Sequence, residues 1–301
     1  MEAQSMKDAR KIGSMRKKEH TRNAVIYAVM VLMTIATVFF LAFLLFGSFM
    51  NNGELSDTYG MIKDGNNMMA YASFHILPDH FTFTQYKKVL WETSDFWFYF
   101  WNSMFYTLPI LLGTIIISVM GGYAFAKFQF PFRKFWLAIY IIVMMIPYQV
   151  MLSPTLIVLN NIGLINTRSA IILPNLFTPF GTYLIYQFMC GISDDTLEAA
   201  KVDGAGNIRI LLKIVLPQVK AGIASLAVLN IIDTWNIVEQ PVMFLKNEFM
   251  YPLSAALSYF QTQDTGTAFV CGVTFLVPVV LVFLIGKDYM IEGIKNSVVG
   301  K

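Results

Sequence analysis

Asn230, Asp233, Thr234, Trp235, Asn236 and Glu239 interrupt an otherwise apolar stretch of the chain. At helical spacing Asp233, Asn236 and Gln240 fall on roughly one face. A carboxylate and two carboxamides placed this way exchange hydrogen bonds with hydroxyl groups. An indole such as Trp235 can stack on a sugar ring. Intramembrane polar residues are costly and tend to line a pathway. Asn230, Asp233, Trp235, Asn236 and Glu239 are therefore the candidates for a solute path. A helix-packing network is the alternative reading of the same residues.

A second polar stretch, DTLEAAKVDGAGNIRILLKIVLP, spans residues 195–217. Asp195 with Glu198 three residues later has the spacing of a capping box. Gly204 suits the left-handed conformation that ends a helix. Asn207 is placed to cap a second helix, whose apolar stripe is expected to be Ile208, Leu211, Leu212 and Val215, with Arg209 and Lys213 off it. The outcome is a short helix rich in small residues, held on a stiff support and shaped to dock in a groove.

Other chemistry finds no footing. No G-x-x-x-x-G-K-[ST] phosphate loop is present, so no ATP site is expected in this chain. No Ser-His-Asp order or paired-carboxylate site stands out. Cys190 and Cys271 lack metal-ligand or disulfide spacing, and His20, His75 and His80 are scattered. Neither a zinc site nor any other metal site is expected.

The elements that must hold these residues are apolar and long. Of 301 residues 56% are hydrophobic and 14% charged, against about 25% charged in soluble domains. The mean hydropathy is +0.57. Six apolar segments fall near 24–46, 103–126, 135–158, 169–190, 216–238 and 268–287. Each is about 20 residues, enough to cross a bilayer core. Prolines 147, 154, 174 and 179 predict kinks in the third and fourth. Gly121 and Gly122 in the second predict close helix packing.

Residues 1–23 form a basic tail with seven cations, and residues 24–301 read as one transmembrane domain. The tail is a topogenic signal with contact to anionic headgroups, and nucleic-acid binding is not expected. The first segment is too long for a signal-peptide core and is expected to remain as an anchor. With the N-terminus inside, seventeen of the 22 Lys and Arg lie on the inner side. This bias predicts that both termini and the 195–217 stretch are cytoplasmic. Residues 47–102 are then extracytoplasmic, and short helices along the membrane are expected there.

Glu198-Ala199-Ala200, then Asp203-Gly204-Ala205, then Ile214 and Leu216-Pro217 resemble the EAA loop of ABC importer permeases. Pro78, Phe81, Thr82 and Tyr86, followed by Trp101-Asn102-Ser103, are similar to sequence before the second span of sugar-importer permeases. Trp235-Asn236 followed by Pro241 resembles the maltose and glycerol-phosphate type. The chain departs from the family pattern at Ile208, Leu211 and Ala221, and again at Ile237–Gln240.

The resemblance implies an all-α, type I ABC importer permease with six transmembrane helices and a cytoplasmic coupling helix within residues 193–215. In that reading Glu198, Ala199, Ala200, Asp203 and Gly204 couple to an ATPase, and both alanines matter by being small. It implies two ATPase subunits that hold ATP and Mg, a second permease subunit, an extracytoplasmic solute-binding protein, and a carbohydrate substrate, an oligosaccharide. The setting is the bacterial cytoplasmic membrane, with membrane lipid around the chain. This chain itself is a transport subunit with no cofactor of its own. The alternative is an ion-coupled secondary transporter of a polar solute, with Asp233 and Glu239 as its carboxylates.

Overall fold

The computed structural model describes residues 2–55, 58, 77–92 and 95–299, and every element among them is helical. Contacts group the chain into two units, residues 1–85 and 86–301.

In the first unit, helix α1 runs Glu2–Gly47. Its Thr21–Gly47 portion is apolar enough to cross a membrane. Large apolar side chains from Val25 to Leu45 are exposed along it, as lipid contact requires. Beyond it the chain folds back. Thr82 N–H bonds to the Phe49 carbonyl at 2.9 Å, and Phe49 packs edge-on against Phe83. Part of the expected 47–102 loop, residues 59–76 among it, lies outside the described residues.

The second unit holds the remaining spans. α2 is Asp95–Lys127, 33 residues long. The aromatic run 96–101 is its first two turns, not a separate helix lying along the membrane. α3 (Arg133–Met144) and α4 (Tyr148–Asn161) are bent by 103° at Pro147, where the third span was expected to kink. The fourth expected span is likewise broken, into α5 (Ser169–Leu176) and α6 (Pro179–Cys190). Thr178 caps α6 by accepting the Gly181 N–H at 3.3 Å, and Pro179 sits where its missing donor costs nothing. After α7 (Asp194–Val202) come α8 (Asn207–Gln218) and α9 (Lys220–Trp235), bent by 77° at Val219. α10 (Glu239–Phe244), α11 (Leu253–Gln263) and the 35-residue α12 (Thr265–Val299) complete the chain.

Among the described residues, three helices are long and apolar enough to span alone, or up to five if each bent pair counts once. The fourth expected span does not meet that test among the described residues. The prolines announce kinks in the third and fourth segments, but apolar composition persists through each break, so its sharpness is set by backbone geometry.

α2 and α6 pack most closely. A Cβ on Gly122 would lie 2.9 Å from the Tyr186 backbone nitrogen, and one on Gly121 would lie 2.8 Å from a Thr182 methyl. In a bilayer such contact has to come from small residues, since lipid tails are as apolar as leucine. We expect Gly122→Leu to cost about 1–3 kcal/mol by overpacking. Thermal midpoints of the purified protein should show it. Gly113→Ala should be milder, because its Cβ meets only the flexible end of Leu176.

Candidate functional site

The 195–217 stretch folds as a two-helix bracket on the end of the bundle. α7 begins two residues earlier than the Asp195 cap predicts. Ser193 is its N-cap residue, and its hydroxyl shares a 2.7 Å hydrogen bond with Thr196 Oγ1, with no side-chain bond to a backbone amide. Asp195 therefore lies in the first turn beside Asp194, where both carboxylates favour the helix dipole. The expected capping box with Glu198 does not form. Ser193, Asp194 and Asp195 are all good capping types, and composition alone does not choose among them.

The far end forms as expected. Gly204 has φ +79°, its N–H bonds to Lys201 O at 3.0 Å, and Ala205 N–H bonds to Ala200 O at 2.9 Å. This is the paired closure that satisfies the last carbonyls of a helix.

The helix has two distinct faces. Leu197 and Ala200 are buried in a cluster with Tyr123, Ile185, Met189 and Ile210. Glu198, Ala199, Lys201, Val202 and Asp203 are exposed, Val202 at 88%. Ala200 is thus small for the sake of packing within this chain. Its expected place on a docking face is corrected, and only Ala199 of the pair faces outward.

The expected stripe on α8 is also corrected. Asn207 begins the helix, and Gly206 precedes it as the cap residue. Ile210 and Val215 are fully buried, whereas Ile208 is 75% and Leu212 56% exposed. Leu211–Val215 is a π-helical turn, so the burial repeat there is five residues and a 3.6-residue pattern misplaces the face. Arg209 and Lys213 are exposed, as expected.

A residue missing from the sequence reading fixes this bracket. Lys127, the last residue of α2, donates from Nζ to the Ile192 carbonyl at 2.6 Å and to Asp194 Oδ1 at 2.7 Å. The lysine side chain is 7% exposed and the aspartate 77%. A cation taken this far out of water needs such partners. Hydrogen bonding and charge from Lys127 hold the Asp194 carboxyl below its ordinary value. The only sequence signal was a lysine closing an apolar helix.

A polar pocket lies at the other end of α9, which is about 24 Å long at 1.5 Å per residue. Its volume is about 340 Å³, and Tyr148, Asp233, Asn236, Glu239 and Gln240 line it. Asp233, Asn236 and Gln240 do share this face. Gln149 Nε2 reaches Glu239 Oε1 at 3.4 Å. Beneath, Asn175 and Gln240 form a reciprocal amide pair at 2.5 and 3.2 Å, tying α10 to α5. Thr114 of α2 donates to the Asn175 carbonyl at 3.1 Å.

Two expected path residues lie elsewhere. Trp235 is 1% exposed, donates to the Phe275 carbonyl at 3.1 Å and stacks on that ring. It is a core residue here and is closed to a sugar. Asn230 is also buried, and its Oδ1 has no partner among the described residues. The aromatic at the pocket is Tyr148, brought there by the 103° bend at Pro147, whose direction no local pattern announces.

Asn102 works as a clamp at the pocket's end of α2. Its Nδ2 donates to Phe249 O at 2.8 Å and Tyr251 O at 3.0 Å, while Oδ1 accepts from Arg168 at 3.1 Å.

Residues 114–295 match the model of a family described as binding-protein-dependent transport system inner membrane component. The arabinooligosaccharides transport system permease protein AraQ of Halalkalibacterium halodurans is 27% identical, over 72% of this chain and 79% of its own. The diacetylchitobiose uptake system permease protein NgcG of Streptomyces coelicolor is also 27% identical, over 87% and 84%. The sn-glycerol-3-phosphate transport system permease protein UgpE of Yersinia pestis is 30% identical, over 65% and 72%. A solved bacterial ABC transporter involved in the import of the acidic polysaccharide alginate shares the fold. Its TM-score is 0.72 at 21% identity, covering 88% of this chain and 95% of that one.

Lys127→Met should free the start of α7 and raise amide hydrogen exchange across residues 192–197. Because the Asp194 value is lowered, the contact's contribution is complete at neutral pH. It is lost only in acid, as the pH falls below 3.8 and through the lowered value. Exchange profiles of wild type and variant at neutral pH test the first point, and acid unfolding of the two proteins tests the second.

Proposed function

Since the chain belongs to the family of binding-protein-dependent transport system inner membrane components, we propose that it forms half of the channel of an ATP-driven carbohydrate importer. The chain is a transport permease subunit and a membrane protein. In this reading it crosses the bacterial cytoplasmic membrane six times, the bent pairs and α5–α6 each serving as one crossing, with both termini in the cytoplasm.

The observation that carries the reading is the two-faced α7. Leu197 and Ala200 lock it to the bundle, and Glu198, Ala199 and Asp203 are left bare for an ATPase subunit. Gly204 turns the chain so that α8 can return to the core. Two ATPase subunits, holding ATP and Mg, grip this helix and its counterpart on a second permease. ATP favours the closed ATPase pair, and that differential binding shifts the channel toward its outward-open state. The core cluster shared by α2, α6, α7 and α8 carries the movement into the bundle. An extracytoplasmic binding protein supplies the solute.

The solute is a neutral oligosaccharide. The relatives' names include two oligosaccharide systems. The pocket presents a phenol, amides and the carboxylates Asp233 and Glu239, with no lysine or arginine in its lining among the described residues. Hydroxyl groups pair well with such a set, whereas a phosphate or uronate would meet like charge. No observation favours the ion-coupled alternative.

A cysteine at Ala199 or Val202 should crosslink to an ATPase subunit in membranes. One at Ala200 should not, because that position faces inward. Absence of any such product from the two exposed positions would sink the docking role. For uptake, Gly204→Val is a sharper test than Gly204→Asp, since Asp tolerates positive φ far better than a β-branched residue. Uptake should be abolished while membrane insertion persists. Tyr148→Ala should raise the KM for uptake about tenfold, matching roughly 1.4 kcal/mol of lost contact.

A further inference from the structure

The turn between α2 and α3 borders a cavity of about 630 Å³ whose lining includes Phe130, Phe132, Arg133, Lys134, Phe135 and Tyr186. It lies at the end of α2 that carries Lys127, hence on the side of α7. Two cations thus share one cavity. Among the described residues, neither Arg133 nor Lys134 lies within 4.0 Å of a carboxylate. Arg133 makes a long hydrogen bond, 3.4 Å to the Phe128 carbonyl, also interacts with the Tyr186 hydroxyl and feels the Asp194 charge without forming an ion pair, and Lys134 is exposed. Lys127, the neighbouring cation, differs because its charge is already held by Asp194 and Ile192.

The rings around the cations are bare. Phe132 is 77% exposed, Phe135 60% and Trp136 49%. Phe132 also has φ +61°, a conformation costly for a bulky side chain. Exposed aromatics at a helix end fit the boundary between headgroups and acyl chains. A soluble anion would satisfy the cations and leave these rings in water.

We propose that this cavity holds the phosphate of an anionic phospholipid headgroup from the leaflet on the α7 side. Arg133 and Lys134 face the phosphate, and the aromatic rings lie against the upper acyl chains. The inference needs only the membrane setting, and it stands or falls apart from the solute and the ATPase contact.

Native mass spectrometry of the full chain with phosphatidylglycerol or phosphatidylcholine provides the test. Wild type should retain phosphatidylglycerol preferentially. Each cation near an anionic surface contributes about 1 kcal/mol, or roughly fivefold, so the Arg133→Gln/Lys134→Gln double variant should bind about 30-fold more weakly. The seven cations of the N-terminal tail are present in both proteins, so the difference isolates the cavity. The swap Arg133→Lys/Lys134→Arg should keep the preference, and Lys246→Gln should leave it untouched. Should the double variant fail to elute as a folded species, each single variant should still show about a fivefold loss.

Undiminished phosphatidylglycerol retention in the neutralised variants overturns the proposal. So does displacement by millimolar inorganic phosphate, which would assign the cavity to a free anion. Loss of a co-purifying protein with lipid retention intact would assign it to a protein contact and overturn it equally.

Discussion

The Lys127 ammonium is the joint on which the coupling bracket depends. It is drawn almost wholly out of water at the end of a 33-residue helix, and among the described residues the Ile192 carbonyl and the Asp194 carboxylate compensate it. A lone ammonium in that place would be too costly to keep. The start of α7 is therefore pinned to α2, and the Gly204 turn pins its end by returning the chain to the core. A short helix of nine residues would be marginal in isolation. Here it gains its order from Leu197 and Ala200, which belong to the same cluster as the bundle helices. In the proposed importer, rigid attachment on one face lets the opposite face serve as a handle.

Above the bracket the bundle is built from close approach and interruption together. Gly121, Gly122 and Gly181 let α2 and α6 meet at backbone distance, which fixes one wall firmly. The other wall is broken, at Pro147 and just before Pro179. A broken helix exposes backbone and brings side chains from separate segments to one place. Tyr148 reaches the pocket in this way, and the Asn175–Gln240 pair closes the floor under it. The pocket and the bracket sit at opposite ends of α9. In the proposed importer, a displacement of α7 would have a packed route along α9 to the pocket residues.

Much of this was readable before any coordinates. The apolar segments, the Gly204 helix end, the kink at Pro147 and the outward Arg209 and Lys213 follow from composition, spacing and backbone preference. The misreadings have specific causes. Trp235 has the chemistry of a sugar platform, but Phe100 and Phe275 enclose it, and neither is near it in sequence. Ile208 and Leu212 fit a helical stripe until a π-helical turn shifts the register. Ala200 and Ala199 are identical residues on opposite faces, and only the position of the core distinguishes them.

Local chemistry along the chain determined the class of the protein: helical, membrane-embedded, and a transport permease subunit. Such properties depend on residue type and on neighbours a few positions apart. The tertiary structure decided which polar residues meet. Tyr148, Asp233 and Glu239 converge while Trp235 and Asn230 withdraw, and Lys127 finds Asp194 across 67 positions of sequence. The physical reason is that burial and pairing belong to a place in space. That place is set by where helices break and how closely glycines let them approach.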